Sequence, residues 1–210
     1  MEVTMAYYRE DQHGDDSRSK RQQILEAAYA VFSRKGYHRA TVDEIIALAD
    51  TGKGTVYNYF NNKEQLFYTL IRERSQPFET ALQQAADADQ PMLEKLQTMI
   101  RLFLRFYLDN AALWRVMMHE IRGFGSDGLS YVKPETRDKY REGFSHTIGL
   151  LAKVLQEGID QGLLREVNVK HASYALFSVI VALAFQQFVD DVDESAREVA
   201  ETFLYGMARK

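Results

Sequence analysis

The segment from Arg21 to Leu70, RQQILEAAYAVFSRKGYHRATVDEIIALADTGKGTVYNYFNNKEQLFYTL, constrains the fold more than any other part of the chain. Three short helical patterns follow one another with tight breaks, and the third, GKGTVYNYF, is too small and too polar to exist for packing alone. A helix shorter than about 12 residues is marginal by itself. This one must therefore be held out by the two before it, which is how a helix-turn-helix unit presents a reading helix to a DNA groove.

The breaks carry the local signals. Ile24, Leu25, Ala28, Val31 and Phe32 recur at helical spacing, with Ser17 or Ser19 as the cap. Gly36 ends that helix, with a positive φ expected there. Thr41 and Glu44 form an S/T-x-x-E capping box for a second helix, whose inward face is Val42, Ile45, Ile46 and Ala49. Asp50, Thr51 and Gly52 make the turn. Lys53 to Phe60 is the third helix, with Val56, Tyr59 and Phe60 expected inward, and Asn61 or Asn62 caps a fourth from Lys63.

The residues left outside have the chemistry of a DNA reader. Gly54 removes a side chain where the helix start would meet a phosphate or base edge. Lys53 can donate to guanine or phosphate, Thr55 to phosphate, and Asn58 can pair with adenine. Tyr57 and Tyr59 carry hydroxyls within reach of phosphate oxygens, and Lys63 adds charge at the next helix start, where the dipole favours an anion.

These residues resemble the DNA-binding domain of the tetracycline-repressor (TetR) family. The matching elements are A-x-x-x-F-x-x-x-G-Y (Ala28, Phe32, Gly36, Tyr37), T-V-x-x-I (Thr41 to Ile45), K-G-T-V-Y-N-Y-F (Lys53 to Phe60) and N-K-E-x-L (Asn62 to Leu66). The resemblance implies DNA contact at Thr41, Lys53, Gly54, Thr55, Tyr57, Tyr59 and Lys63. It also implies a repressor, a small effector bound in the C-terminal domain, and a dimer made by the last two helices. The chain departs from the family at the turn, reading Ala49-Asp50-Thr51-Gly52 where A-G-V-S is usual. Asp enters the left-handed region less readily than Gly but better than most residues.

Charge is distributed to match. The net charge is −4 over 210 residues, yet residues 17–76 hold ten Lys/Arg against six Asp/Glu. A basic head on an acidic body is the electrostatic footprint of a DNA binder. Cysteine is absent, which removes disulfides and thiolate sites. No apolar run reaches about 18 residues, and the acidic start MEVTMAYYREDQHGDD is unlike a signal peptide. A cytoplasmic protein with no membrane segment is the expectation.

From Lys63 onward the pattern stays helical, so the fold class is all-α. Helices are expected near 63–86, 91–108, 111–122, 134–160, 169–189 and 194–208, with a loop at 123–128 and an acidic break at 190–193. The division is an acidic, flexible tail (1–16), a three-helix helix-turn-helix domain (17–62) and a larger helical effector-binding and dimerisation domain (63–210).

Met99, Phe103, Phe106, Tyr107, Trp114, Met117 and Met118 make the fifth and sixth helices rich in adaptable apolar side chains, and Tyr140, Phe144 and Ile148 face them from the seventh. Such residues line cavities as well as cores. The expected effector pocket is Phe103, Tyr107, Trp114, Met117, Met118 and Phe144, for an apolar or aromatic ligand. His119, Glu120 and Arg122 read as a surface cluster, and no histidine has a companion at metal-ligand spacing. The eighth helix is apolar nearly all round and needs cover on two sides. Ala175, Val179 and Ala182 there, with Phe203, Leu204 and Met207 on the ninth, would form a four-helix interface in a homodimer. A two-fold dimer suits a palindromic double-stranded operator. No phosphate loop, nucleophile elbow or zinc motif is present, so no catalytic residues, cofactor or metal are expected. The competing reading is a constitutive DNA-binding regulator or architectural protein without an effector, which would have a tightly packed body.

Overall fold

The computed structural model describes residues 19–122 and 134–207. The expected tail, Ser17 and the loop at 123–128 lie outside them. The described residues form helices α1 (Lys20–Arg39), α2 (Val42–Leu48), α3 (Lys53–Tyr59), α4 (Lys63–Asp87), α5 (Met92–Asp109), α6 (Ala111–Arg122), α7 (Pro134–Asp160), α8 (Val169–Phe185) and α9 (Val192–Met207). They fall into two compact units, divided between Leu66 and Phe67.

In the first unit, Ser19 is the cap of α1, its hydroxyl accepting from the Gln22 N–H at 3.3 Å. Ile24, Leu25, Ala28, Val31 and Phe32 are all buried. The α1 span runs on to Arg39 but is broken at Gly36, whose φ of 78° an L side chain adopts only at a cost. The break lets Tyr37 stack on Phe32, with ring centroids 6.0 Å apart. The α2 capping box is complete: Thr41 Oγ1 accepts from Glu44 N–H at 3.3 Å, and Glu44 Oε2 accepts from Thr41 N–H at 3.1 Å. Asp50 takes the left-handed conformation at φ 44°. Gly52 caps α3 without a side-chain hydrogen bond, because it has no side chain, and its carbonyl accepts from the Thr55 and Val56 N–H groups at 3.0 and 3.3 Å. Both α2 and α3 pack on α1.

The second unit is built round α5, which packs against α7, α8 and α9. Its core holds Leu96, Met99, Ile100, Phe103 and Leu104 from α5, with Leu151, Val154 and Leu155 from α7, Leu176, Phe177 and Ile180 from α8, and Ala196 and Ala200 from α9. Ion pairs fix the register of these helices. Lys95 Nζ donates to both Glu157 oxygens at 2.9 and 3.2 Å, Arg101 and Arg105 both meet Asp193, and Lys153 meets Asp87. The last two helices differ from expectation at their facing ends. The eighth stops at Phe185 rather than 189, and Gln187 turns the chain at φ 58°. The ninth begins at Val192, inside the acidic break, because Asp191 accepts from Glu194 N–H at 2.7 Å and acts as a cap.

Candidate nucleic-acid interface and ligand cavity

The short third helix keeps only Val56 and, just beyond its end, Phe60 in the core, at 1% and 2% exposure. Four residues apart, they make one narrow stripe, and in a seven-residue helix nothing else can share it. Periodicity puts Tyr59 on that stripe, but it stands outside, 45% exposed, beside Tyr57 at 42%. Gly54 and Asn58 are exposed as well, and Thr55 is half-buried. A Cβ built on Gly54 would meet no heavy atom within 4 Å, so nothing in the chain requires glycine there. Lys53 donates to Asp43 at 3.3 Å in a pair whose side chains are mostly exposed, an association that solvent screens strongly. Thr41 is exposed at the start of α2, and so is Leu48 near its end, an apolar side chain that no pattern in the sequence places outside.

Lys63 lies differently. Its ammonium donates to the carbonyls of Tyr37 at 2.9 Å, Ala40 at 3.1 Å and His38 at 3.4 Å, and sits 4.5 Å from the Tyr37 ring centroid. Asn62 caps α4, accepting from Gln65 N–H at 2.8 Å, while Gln65 Oε1 accepts from Asn61 N–H at 2.7 Å. Behind this face, Lys35 donates to Glu44. That bond, followed by the one from the Thr41 N–H, holds the Glu44 carboxyl below its ordinary range.

The second unit contains a cavity of about 550 Å³. Tyr107, Trp114 and Phe144 line it, as do Ile71, Phe78 and Phe106. Phe103 does not. It is fully buried, edge-on to Phe78 at 5.1 Å and to Phe177 at 5.9 Å, while Phe106 takes the wall position and stacks on Phe78 at 4.1 Å. Three residues along α5 is enough to exchange a core position for a lining one. The side chains of Met117, Met118, His119, Glu120 and Arg122 lie outside the described residues.

The cavity also has a polar lining that sequence pattern does not reveal. Arg72, Lys139 and Arg141 are exposed members of its wall, with Glu79 as the acid among the lining residues. In sequence they read as the solvated faces of α4 and α7, and only the packing of those helices brings them together.

On α8, Leu176, Phe177 and Ile180 point into the core, whereas Ala175, Val179 and Ala182 are on the outer side, with Val179 45% exposed. Val179, Leu183, Val199 and Phe203 line an apolar groove between α8 and α9. Leu204 is half-buried, and the Met207 side chain lies outside the described residues. Among the described residues no cluster of three or more His, Asp or Glu could hold a metal ion, and no helix is long and apolar enough to cross a membrane.

Comparison with known proteins gives two family matches. Residues 24–69 match the model for bacterial regulatory proteins of the tetR family, and residues 89–204 match that of the tetracyclin repressor-like C-terminal domain. The fatty acid metabolism regulator protein of Bacillus subtilis is 29% identical over 164 residues, covering 78% of this chain and 80% of that one. The structure of the fatty acid degradation regulator FadR from Bacillus halodurans matches with a TM-score of 0.70 and 25% identity, over 89% of this chain and 98% of that chain. The TetR family regulator PfmR from Thermus thermophilus shares the fold at a TM-score of 0.73 and 24% identity, over 89% of this chain and 99% of that one.

Proposed function

The chain belongs to the tetR family of bacterial regulatory proteins and is a DNA-binding transcriptional regulator, not an enzyme; we propose that it is a repressor released from its operator by an amphipathic, anionic effector. The observation that carries this reading is the cavity of about 550 Å³ with an aromatic wall and three cations in its lining. Its volume falls within the range of about 300–1,000 Å³ usual for small-molecule sites. Phe78, Phe106, Tyr107, Trp114 and Phe144 suit an apolar chain or ring system, and Arg72, Lys139 and Arg141 suit a carboxylate or phosphate. Two of the similar proteins are named for fatty acid metabolism or degradation, which makes a fatty acid or its acyl thioester the first class to test. A void of this size also weighs against the effector-free alternative, which requires a solid body.

In this reading α3 enters the major groove. Asn58 meets base edges, Gly54 allows close approach, and Thr41, Lys53, Thr55, Tyr57 and Tyr59 meet the phosphate backbone. Two chains associate through α8 and α9, with Ala175, Val179, Ala182, Phe203 and Leu204 at the seam, and read the two halves of a palindromic operator. The ligand releases DNA only by its differential affinity for a state that fits the operator poorly. Helix α4 supplies Ile71, Arg72, Ser75, Phe78 and Glu79 to the cavity and begins at Lys63, so it is the element through which ligand binding acts.

Trp114 is the chain's single tryptophan and lines the cavity, which makes its fluorescence a direct reporter. Titration with straight-chain fatty acids and their coenzyme A thioesters should change that emission saturably, and the same compounds should release a bound operator duplex. Replacing Lys139 and Arg141 by Ala should weaken the anionic ligands at least about tenfold, the scale of one 1.4 kcal/mol interaction, while sparing an uncharged alcohol of the same length. No response from any chain length, with DNA binding intact, would refute the effector class.

A further inference from the structure

The first turn of α4 presents a lysine where sequence reading places a phosphate contact, yet its ammonium faces the protein. We infer that Lys63 is a positioning residue that locks the start of α4 onto the end of α1, so that it sets operator affinity without touching DNA. This rests on the DNA-binding reading above and reassigns one residue within it.

The geometry carries the inference. A lysine ammonium has three N–H donors, and three backbone carbonyls, those of Tyr37, His38 and Ala40, lie between 2.9 and 3.4 Å from Nζ. The ring of Tyr37 lies below it at 4.5 Å. The position also settles an electrostatic question. Lys63 is the first residue of α4, where the positive end of the helix dipole disfavours a cation. The carbonyls of Tyr37, His38 and Ala40 lie at the end of α1, where the helix dipole places negative potential. One cation placed between the two helix ends answers the excess negative potential of one and is compensated for the positive potential of the other. A phosphate competing for this ammonium would have to displace three charge-assisted hydrogen bonds. Lys53, mostly exposed and held only loosely by an exposed aspartate at 3.3 Å, is far easier for a phosphate or base edge to capture.

The consequence is specific. Helices α2 and α3 both pack on α1, and the start of α4 follows α3 after only three residues, Phe60, Asn61 and Asn62. Tying Lys63 to residues 37–40 therefore fixes both ends of the segment that contains the reading helix. Loss of the tie should let that segment drift, lowering affinity for every sequence alike.

The salt dependence of binding separates this role from a phosphate contact. Removing one phosphate contact lowers the slope of log K against log salt by about 0.9, and by twice that in a symmetric dimer. Binding should be measured on a duplex selected by the purified protein from random sequence, well below the melting temperature, with the active fraction titrated. Lys63→Met should lower affinity per active molecule about tenfold or more with the slope unchanged, as the removal of about 1.4 kcal/mol of positioning would do, whereas Lys53→Ala should lower the slope. A purely structural role for Lys63 would reduce thermal stability and leave affinity per active molecule at the wild-type value, which would overturn the inference. So would a slope reduced by Lys63→Met. If Lys53→Ala leaves the slope unchanged, the docking of α3 fails rather than the role of Lys63. Acetylation of the wild-type protein, read by mass spectrometry, decides the matter even if Lys63→Met does not fold. Lys63 should react slowly both free and on DNA, while Lys53 should react quickly when free and slowly on DNA. A Lys63 that reacts quickly when free and becomes protected on DNA would overturn the inference.

Discussion

Replacing Gly54 by Ala should move stability and DNA affinity in opposite directions. Gly54 is the second residue of α3, and a Cβ there would meet no heavy atom of the chain within 4 Å. Glycine inside a helix is destabilising by roughly 0.5–1 kcal/mol relative to alanine, so the free protein should gain up to about that amount, with nothing lost to crowding. On DNA the same methyl group would enter the gap between the helix start and the duplex. Overpacking a closed contact costs about 1–3 kcal/mol, and each 1.4 kcal/mol is about tenfold in affinity. A symmetric dimer suffers this at both half-sites, about 2–6 kcal/mol together, so operator affinity should fall by roughly thirtyfold to ten-thousandfold. Hydrogen exchange of the α3 amides reads the first effect, and fluorescence anisotropy with a labelled operator reads the second. Gly36→Ala is the contrast. Space is free there too, but φ is 78° with ψ 169°, a region essentially restricted to glycine, so the substitution should destabilise the first unit by about 1–3 kcal/mol. A Gly54→Ala protein that binds its operator as tightly as wild type would refute the close approach of this helix to DNA.

Three further outcomes follow from the packing and electrostatics. Val179 is 45% exposed, so Val179→Asp should leave the fold of the chain intact while burying a charge in the proposed seam; sedimentation should show monomers at micromolar concentration, and a persistent dimer would place the interface elsewhere. Lys95 and Glu157 form a pair with the lysine side chain 9% exposed and the glutamate 28%. Lys95 would be stranded by Glu157→Ala at a loss of about 3 kcal/mol, and Lys95→Met with Glu157→Leu should recover most of it in denaturant melts. Glu44, held below its ordinary pKa first by the Lys35 hydrogen bond, is favoured in the ionised form by folding, so its contribution is present above the unfolded pKa and fades as pH falls through the folded value. Carbon-detected NMR titration should show the low pKa, and Lys35→Met should raise it towards the ordinary value of 4.5.

The first unit is legible in the sequence because its signals are local. Ser19, Thr41 with Glu44, Gly36 and Asn62 each specify a cap or a break within four residues of themselves, and the structure uses all of them. Tyr59 goes astray for a reason that is also local. The helix is too short for a three-residue inward face, and periodicity alone does not reveal how many of its turns find a partner. The second unit is legible in its helices and less so in its cavity. Choosing between Phe103 and Phe106 as the lining residue needs the rotation of α5 relative to its neighbours, which depends on contacts distant in sequence, such as Lys95 with Glu157. The cations Arg72, Lys139 and Arg141 have no common sequence signature, since each is an ordinary polar-face residue of its own helix.

Lys63 marks the boundary between these two kinds of information. Its type and position match a family pattern, and a pattern cannot say which way a long side chain turns. The direction is decided by competition between a phosphate in high-dielectric surroundings and three carbonyls already fixed by the Gly36 break. Fixed dipoles need no reorganisation to receive a charge, whereas a phosphate contact must first displace water and counterions. An ammonium on a four-carbon stem can reach either, and in the proposed role the preorganised partner wins while the end of α1 keeps its present form. A perturbation that moved the first turn of α4 away from residues 37–40 would reverse that balance. The same lysine would then be released to solvent, and the reading helix would lose its second anchor in the same step.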